Sequence, residues 1–508
     1  MATQTTAQPE QTYRQILKSS LLVGGSSAAN IVIGVVRAKA MAILLGPAGV
    51  GLTGLYSSIL DVSATIAGMG VNSSGVRQIA AAVGSGDTDV IARTTVVLRR
   101  VSILLGALGA AGLFAFSGAV SAFTFGNTKY SGAICLLSVA VFFKLISAGQ
   151  SALIQGMRRI SDLAKMAVWS ALFGTVSTII VVFFLREKGI VPSIVCGLAV
   201  SIFISWRYSR KIRIQKFLMP VSEAGKDVAG LLKLGAAFMM TSLMTIGSAY
   251  VIRIIIVRSV GFEGAGLYQS AWTLGGLYVG FILQAMGTDF YPRLTASAND
   301  NAECNRLVNE QAFIGLLLGG PGVLATLTLA PLVITMFYTA KFHAAVEILR
   351  WFCLGTILQV ITWPMGFIAL AKGRQNVFLL SDLAWTIVYI LLAWLGVRAF
   401  GLRGAGMAFF GSYVFHLLIT YPIARSLSGF RWSRENRRIG LLFLLTIAAV
   451  FGGFYGLPLV WAECVGILVA AAIGIYSLRT LIGVVPLDRV PPSARFLLAR
   501  FGIPAASA

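Results

Sequence analysis

Leu45–Leu52 reads LGPAGVGL and Val260–Leu267 reads VGFEGAGL, so the same spacing of three glycines occurs twice in this chain of 508 residues. The matched glycines are separated by 215 residues, and Lys18 and Lys233 are separated by the same interval. A constant offset over several positions indicates an internal repeat. The repeat predicts two halves of similar structure, each containing one copy of the glycine-rich element.

Long stretches without charge lie around these elements. The chain is 57% hydrophobic and 12% charged, with a mean hydropathy of +0.84, whereas soluble domains carry about 25% charged residues. About 20 apolar residues in a helix cross the hydrocarbon core of a bilayer, and a backbone in lipid must form its hydrogen bonds internally. We therefore predict transmembrane helices over the charge-free stretches, which include Val101–Thr128, Ala265–Thr288, Gln311–Ala340 and Ile439–Ala462.

The hydropathy pattern predicts about fourteen transmembrane helices, six in each half and two near the carboxyl end. The predicted fold class is all-α: a polytopic membrane protein with two pseudo-symmetric six-helix bundles plus a C-terminal helical hairpin. The lobes are residues 1–210 and 230–425, joined by a cytoplasmic linker (211–229) and followed by a transmembrane hairpin (437–483) and a cytoplasmic tail (484–508). The predicted spans are 16–38, 50–78, 93–118, 131–157, 163–185, 190–207, 230–256, 265–291, 308–338, 345–371, 377–397, 404–424, 439–460 and 464–483.

The charge distribution predicts the orientation of these helices. The formal net charge is +23, which by itself could suggest nucleic acid as a partner. With the N-terminus in the cytoplasm, most Lys and Arg residues fall in cytoplasmic loops, in clusters such as Arg207–Lys216, Gly156–Lys165 and Arg425–Arg438. This is the positive-inside bias of membrane proteins. Topology and anionic phospholipid headgroups therefore account for the surplus, and we expect no nucleic-acid partner.

Motifs for metal binding and catalysis are missing from the sequence. The five cysteines form no C-x-x-C pair, and His343 and His416 are the only histidines, so a zinc site is not expected. There is no G-x-x-x-x-G-K-[ST] loop for ATP, and no loop is long enough to form a soluble catalytic domain. We predict a transporter without enzymatic activity, without a metal and without a cofactor.

Polar residues at helical spacing mark four of the predicted spans. Residues three, four, seven and eleven positions apart lie on one face of a helix. Such a face inside a bundle could line a path through the membrane. The four sets are Ser27, Asn30, Gly34 and Arg37; Asp61, Thr65, Gly68 and Asn72; Lys144, Ser147, Ser151 and Gln155; and Ser242, Thr245, Ala249 and Arg253.

Lys144 is the most informative of these residues because it lies in the middle of its span. A charge at the bilayer centre costs about 2.5–3.5 kcal/mol on insertion scales, and Lys144 is too deep to reach the surface. It must contact water or a counter-charge, for which Asp61 is the predicted partner. Two interpretations stay open: a buried pair that only fixes packing, or a hydrated cavity with a positive centre.

Further cations lie toward the outer ends of their spans: Arg37, Lys39, Arg253 and Arg258. Each could line the cavity or extend toward the outer headgroups. Arg37 and Lys39 are two residues apart, so an unbroken helix cannot direct both side chains into one cavity. Helical spacing favours Arg37, which continues the stripe of Asn30.

Asp289 lies near the cytoplasmic end of the eighth span, followed by Arg293 four residues later. It is a candidate for the substrate site. An ion pair with Arg293 on the same helix explains its position equally well.

Three short segments carry a resemblance to a known family. Leu44–Leu52 (LLGPAGVGL) after a cation-bearing first helix, Phe290–Leu294 (FYPRL) and Ala369–Arg374 (ALAKGR) resemble Wzx-type O-antigen and polysaccharide translocases. These are flippases of the multidrug/oligosaccharidyl-lipid/polysaccharide exporter superfamily. The resemblance implies substrate-binding roles for Lys39, which lies eight residues before the proline of the first segment, and for Arg253.

The resemblance also implies a function. Such translocases alternate between inward-open and outward-open forms and move an undecaprenyl-diphosphate-linked oligosaccharide across the bacterial inner membrane during O-antigen, lipopolysaccharide or exopolysaccharide synthesis. The implied partners are this polyprenyl-diphosphate-linked glycan, a polysaccharide polymerase and a chain-length regulator, in addition to the anionic phospholipid that the charge distribution predicts. The energy source would be a proton, a sodium ion bound through Asp61, or the membrane potential.

Three other functions were weighed. A lipid II flippase of peptidoglycan synthesis is favoured by the extra C-terminal hairpin, which most twelve-helix translocases lack. A multidrug or cation antiporter would need an anionic cavity, whereas interior cations outnumber interior carboxylates here. A polysaccharide polymerase or ligase would need a large outer loop with catalytic basic residues. The largest predicted outer loop, Ser117–Tyr130, is small, and its only basic residue is Lys129.

Overall fold

The computed structural model describes residues 9–212 and 225–484, and within this part of the chain the regular elements are helices, with no β-strand. Residues 213–224 of the predicted linker and 485–508 of the predicted tail lie outside the described residues. The helices are α1 Pro9–Gly68, α2 Val71–Ser85, α3 Thr88–Ala115, α4 Ser117–Phe125, α5 Ser131–Gly156, α6 Ile160–Leu185, α7 Ile190–Ser209, α8 Gly225–Ala296, α9 Asn301–Thr328, α10 Ala330–Phe337, α11 Ala345–Ala371, α12 Gln375–Phe400, α13 Leu402–Ser428, α14 Arg434–Gly456 and α15 Leu459–Val484.

The described helices match the predicted membrane spans. Within the described residues, eleven helical segments are long and apolar enough to cross a bilayer. Three of them, Gly24–Gly68, Ile160–Ser209 and Phe238–Gln284, each overlap two predicted spans, so the fourteen predicted spans are all represented at least in part. This confirms a polytopic all-α membrane protein.

The glycine-rich repeat corresponds to a repeated kink. Helix α1 is interrupted at Gly46 (φ 66°, ψ −172°) and α8 at Gly261 (φ 87°, ψ −177°). These are the first glycines of the two copies, 215 residues apart. This combination of angles is essentially restricted to glycine. Pro47 follows the kink in α1, where it suits the first position of a new helical segment, but Phe262 occupies the matching position in α8, so glycine is the common requirement.

Replacing either kink glycine with alanine tests this requirement. We expect Gly46→Ala and Gly261→Ala to destabilise the protein by about 1–3 kcal/mol, since a Cβ at either position would contact nothing within 4 Å and only backbone strain remains. Thermal unfolding of the purified protein measures the effect. Gly276→Ala is the matched control: a Cβ there is equally unobstructed but the backbone is ordinary helix, so its unfolding temperature should be unchanged or higher. Equal temperatures for the three variants would contradict the strain argument.

Two predicted spans are broken rather than continuous. The prediction of one helix over 50–78 is wrong, because α1 ends at Gly68 and α2 begins at Val71 after two left-handed residues, Met69 (φ 43°) and Gly70 (φ 64°). Left-handed residues end a right-handed helix. The span 308–338 is likewise divided into α9 and α10, with a proline in the first turn of α10.

The described residues form two compact units, one reaching to Gly266 and the other beginning at Leu267, so that the boundary falls inside α8. In the first unit the core surrounds α5, whose Ile134, Leu137 and Val141 are buried. In the second unit α11 is the most buried helix. The predicted lobe boundaries themselves stay a prediction.

Candidate functional site

Helices α1, α5, α6 and α7 of the first unit line an open cavity of about 490 Å³ with many polar side chains, which we call the inner cavity. Asn30, Gly34 and Arg37 reach it from the first segment of α1, Asp61 from the second segment, and Lys144 from α5. Both segments of α1, on either side of the kink at Gly46, therefore contribute to the lining. Four of the predicted site residues, Asn30, Arg37, Asp61 and Lys144, therefore lie in one cavity.

Lys144 and Asp61 form an ion pair, with Nζ of the lysine donating to Oδ1 of the aspartate. The predicted partner of Lys144 is thereby confirmed. The side chains remain 36% and 43% exposed, so the pair is not sealed in a dry core. It borders open space, which is the arrangement that the hydrated-cavity interpretation requires.

Arg37 gives the inner cavity a surplus positive charge. The charged side chains among its lining residues are Arg37, Asp61 and Lys144, and the last two neutralise each other. Among the described residues, no ion pair includes Arg37. Lys39 is absent from the cavity lining, as expected for side chains two residues apart on one helix.

A second cavity of about 260 Å³ lies on the other side of the ion pair. We call it the adjoining cavity, because Lys144 lines both. Thr65, Gly68 and Asn72 line it, together with Ser242 of α8. Asn72 belongs to α2 and not to the helix of Asp61, so the predicted stripe crosses a helix break, yet each of its members lines one of the two cavities.

Small hydroxyl residues of α6 and α7 complete the inner cavity. Sequence reasoning missed them because serine and threonine commonly bond to carbonyls of their own helix, as Ser193 does to Ile190. Such residues give no distinct signal in a membrane helix. The missed residues are Ser170, Thr175, Thr178, Ser193 and Ser201.

Arg253 and Arg258 of α8 are absent from the linings of both cavities. Arg253 donates from Nη1 to the carbonyl of Ala249, one turn earlier, at 3.1 Å. Arg258 donates from Nη2 to the carbonyls of Ala122, at 3.0 Å, and Phe123. Those carbonyls end α4, and a cation there satisfies them and complements the helix dipole. The observed contacts of Arg258 are therefore those of a helix cap.

Gln155 and Asp289 also lie apart from the cavities. Gln155 is exposed at the end of α5. Asp289 accepts a hydrogen bond from Arg293 at 3.2 Å, and both side chains are exposed. The pairing with Arg293 that the sequence allowed is thus present. A substrate-binding role for either residue stays a prediction.

Residues 40–347 match the family model described as "Polysaccharide biosynthesis protein". The chain belongs to this family. The matched range contains both kinks, Asp61 and Lys144, and it begins just after Arg37 and Lys39.

A curated relative of this family member is the lipid III flippase of Escherichia coli (strain K12). The two are 22% identical over 415 residues, which is 78% of this chain and 95% of the flippase. The lipid III flippase of Shigella flexneri matches equally well.

Solved structures share the fold. The lipid II flippase MurJ in an inward closed conformation has a TM-score of 0.66 at 14% identity, covering 92% of this chain and 98% of MurJ. An inward-facing multidrug resistance MATE family transporter of the MOP superfamily has a TM-score of 0.60 at 15% identity, covering 81% and 99%. These likenesses confirm the predicted superfamily fold.

The chemistry available to this polysaccharide biosynthesis protein is that of an anion-binding chamber. Arg37 offers a fork of donors that suits phosphate oxygens, and Lys144 adds three donors on a second helix. Hydroxyl groups of α6 and α7 can bond to neutral polar groups such as sugars. Asp61 is the counter-ion that an incoming anion would have to compete with for Lys144.

Proposed function

We propose that the chain is a flippase that moves an undecaprenyl-diphosphate-linked oligosaccharide, an O-antigen or exopolysaccharide repeat unit, from the cytoplasmic to the periplasmic leaflet by alternating access. The observation that carries the proposal is the inner cavity, in which Arg37 is a surplus cation beside the Lys144–Asp61 pair. The relationship to lipid III flippases over 95% of their length supports it.

The physical argument rests on charge. A diphosphate cannot enter hydrocarbon without large desolvation cost, so a carrier must offer charge-assisted hydrogen bonds inside the membrane. Arg37 and Lys144 supply such bonds. A volume of about 490 Å³ falls within the range of small-molecule sites, about 300–1,000 Å³. The prenyl tail would remain in lipid while the headgroup crosses.

The setting follows from the same proposal. The chain would be a multi-pass protein of the bacterial inner membrane with its N-terminus in the cytoplasm, working alongside a polysaccharide polymerase and a chain-length regulator. It would bind no catalytic cofactor. Transport would be driven in one of two ways. Asp61 could release Lys144 and bind a proton or a sodium ion instead, or the membrane potential could act on the charge of the diphosphate.

A lipid II flippase is the second candidate, because the likeness to MurJ extends over 92% of this chain. Both candidates carry a prenyl diphosphate, so the cationic cavity does not separate them. A cation antiporter fits less well, since the surplus charge of the inner cavity is positive.

The deciding experiment reconstitutes the protein in liposomes with fluorescent undecaprenyl-diphosphate oligosaccharide or with fluorescent lipid II. Accessibility of the label to an added quencher reports transfer between leaflets. We expect transfer of the oligosaccharide lipid to be faster. Preferential transfer of lipid II would favour the second candidate, and transfer of neither would contradict a flippase.

Arg37 and Lys39 give a matched pair for the cavity itself. We expect Arg37→Ala to lower the rate of transfer about 10- to 100-fold, because hydrogen bonds to a charged group contribute about 1.5–3 kcal/mol. Lys39→Ala removes the same charge two residues away, outside the cavity lining, and should retain most activity. If Lys39→Ala lowered the transfer rate more than Arg37→Ala, the binding residue would be Lys39, as the family resemblance implies.

A further inference from the structure

A third, larger recess lies between α6 and α7 on the side away from the inner cavity. We call it the α6–α7 groove; its volume is about 1,030 Å³. Four apolar residues of α6 line it at helical spacing: Trp169, Phe173, Val176 and Ile180. Gly174 and Thr178, which lie between these residues in the sequence, line the inner cavity instead.

The groove wall is apolar along almost its whole length. Phe203 and Ile204 contribute from α7, and Trp169 stacks on Phe173 with ring centroids 5.4 Å apart. Ser177 lines the groove but donates its hydroxyl to the carbonyl of Gly174 at 2.9 Å. The wall therefore offers hydrocarbon contact and little hydrogen bonding.

One end of the groove is cationic. Arg207 and Lys211 line it where α7 ends, and no acidic side chain is among the described residues that line the groove. Lys211 lies 3.9 Å from Asp162, but that carboxylate is held more closely by Arg159, at 2.8 Å. The positive charge at this end is therefore incompletely balanced.

The groove has the length of one leaflet. Trp169 and Ile180 are eleven residues apart in α6, which corresponds to about 16 Å at 1.5 Å per residue. Half of the hydrocarbon core is about 15 Å. Helix α7 ends at Ser209, so the cationic end lies where the membrane span meets the headgroups.

We propose that the α6–α7 groove binds one anionic phospholipid, with an acyl chain along Phe173, Val176 and Phe203 and the phosphate beside Arg207 and Lys211. The apolar wall, the cationic end and the one-leaflet length all suit a two-part amphiphile of this size. A 55-carbon prenyl chain exceeds the groove several times over. An extended peptide would leave its backbone groups without partners there.

The test measures lipid binding to the purified protein by native mass spectrometry, with phosphatidylglycerol and phosphatidylcholine as probes. We expect phosphatidylglycerol to bind at least about tenfold more tightly, since each Lys or Arg near a membrane surface contributes about 1 kcal/mol toward an anionic lipid. Arg207→Gln with Lys211→Gln should remove this preference. Arg434→Gln with Arg438→Gln, an equally spaced exposed pair at the start of α14, should leave it unchanged.

A change of shape tests the groove without changing charge. Val176→Trp narrows it and should weaken phosphatidylglycerol binding by a similar factor. Ile103→Trp, at a comparably exposed apolar position on α3 (50% against 45%), should not. Equal binding of the two lipids would overturn the proposal, and so would equal effects of the two tryptophan substitutions. It would also be overturned if undecaprenyl phosphate or a copurified polypeptide bound more tightly than phosphatidylglycerol. Lipid binding is read without transport, so failure here would leave the flippase proposal intact, and failure of transport would leave the groove proposal intact.

Discussion

Lys144→Ala is expected to insert and fold but to lose transport almost completely. The substitution removes a cation from the border between two cavities and leaves Asp61 facing Arg37 across the inner cavity, so the lining no longer carries surplus positive charge. We expect a rate of oligosaccharide-lipid transfer at least about 100-fold lower than that of the wild type. The same variant should fail to restore surface polysaccharide in a strain that lacks its own flippase.

Removing both partners separates packing from function. Both side chains of the pair are more than one-third exposed, so the pair contributes about 1 kcal/mol or less to stability. Lys144→Ala combined with Asp61→Ala should unfold at nearly the wild-type temperature and should still not transport. If this double variant regained transport, the pair would serve packing alone and Lys144 would leave the substrate site.

The swap of Lys144→Asp with Asp61→Lys provides a further comparison. It keeps one charge of each sign but moves the cation from α5 to α1. A site that binds a diphosphate between Arg37 and Lys144 depends on where the cation lies, so we expect the swapped protein to be stable and inactive. Normal transport by the swapped protein would contradict this dependence.

The fold was largely predictable because the bilayer simplifies the physics. Apolar length alone identifies a spanning helix, and the glycine spacing at Gly46 and Gly261 pointed to the repeat that the two kinks express. The break at Met69–Gly70 was not predictable. At this break the backbone of Gly70 approaches Gly235 so closely that a Cβ on Gly70 would overlap the carbonyl oxygen, and a contact between residues 165 positions apart leaves no local pattern.

The candidate site was predictable where charge and helical spacing coincide, as for Arg37, Asp61 and Lys144. It was not predictable where a residue's contacts come from distant helices. Arg258 looked like a cavity cation, yet its guanidinium bonds to carbonyls at the end of α4, about 135 positions earlier. Helix α4 lies within the predicted outer loop, Ser117–Tyr130.

The second large effect is expected where the two glycine-rich elements contact each other. Gly51 and Gly266 are matched positions of the repeat, and each backbone abuts the other element within the first unit. A Cβ added to Gly51 would lie 2.7 Å from the amide nitrogen of Gly266 and would overlap the carbonyl oxygen of Phe262. A Cβ added to Gly266 would lie 3.0 Å from the amide nitrogen of Gly51 and would overlap the carbonyl oxygen of Pro47.

Gly51→Ala and Gly266→Ala should therefore each destabilise the protein by about 3 kcal/mol or more, since the obstructing atoms belong to backbone and cannot rotate away. Thermal unfolding in detergent and the yield of folded protein measure the loss. Gly280→Ala is the control, because it lies in α8 with open space around the added Cβ. If the two elements move apart once, both overlaps are relieved together, so the double variant should lose less stability than the sum of the two single losses.

Two results would contradict this account. Additive losses would mean that the two glycines do not share a contact. A Gly266→Ala protein as stable as the Gly280→Ala control would mean that the close approach is absent.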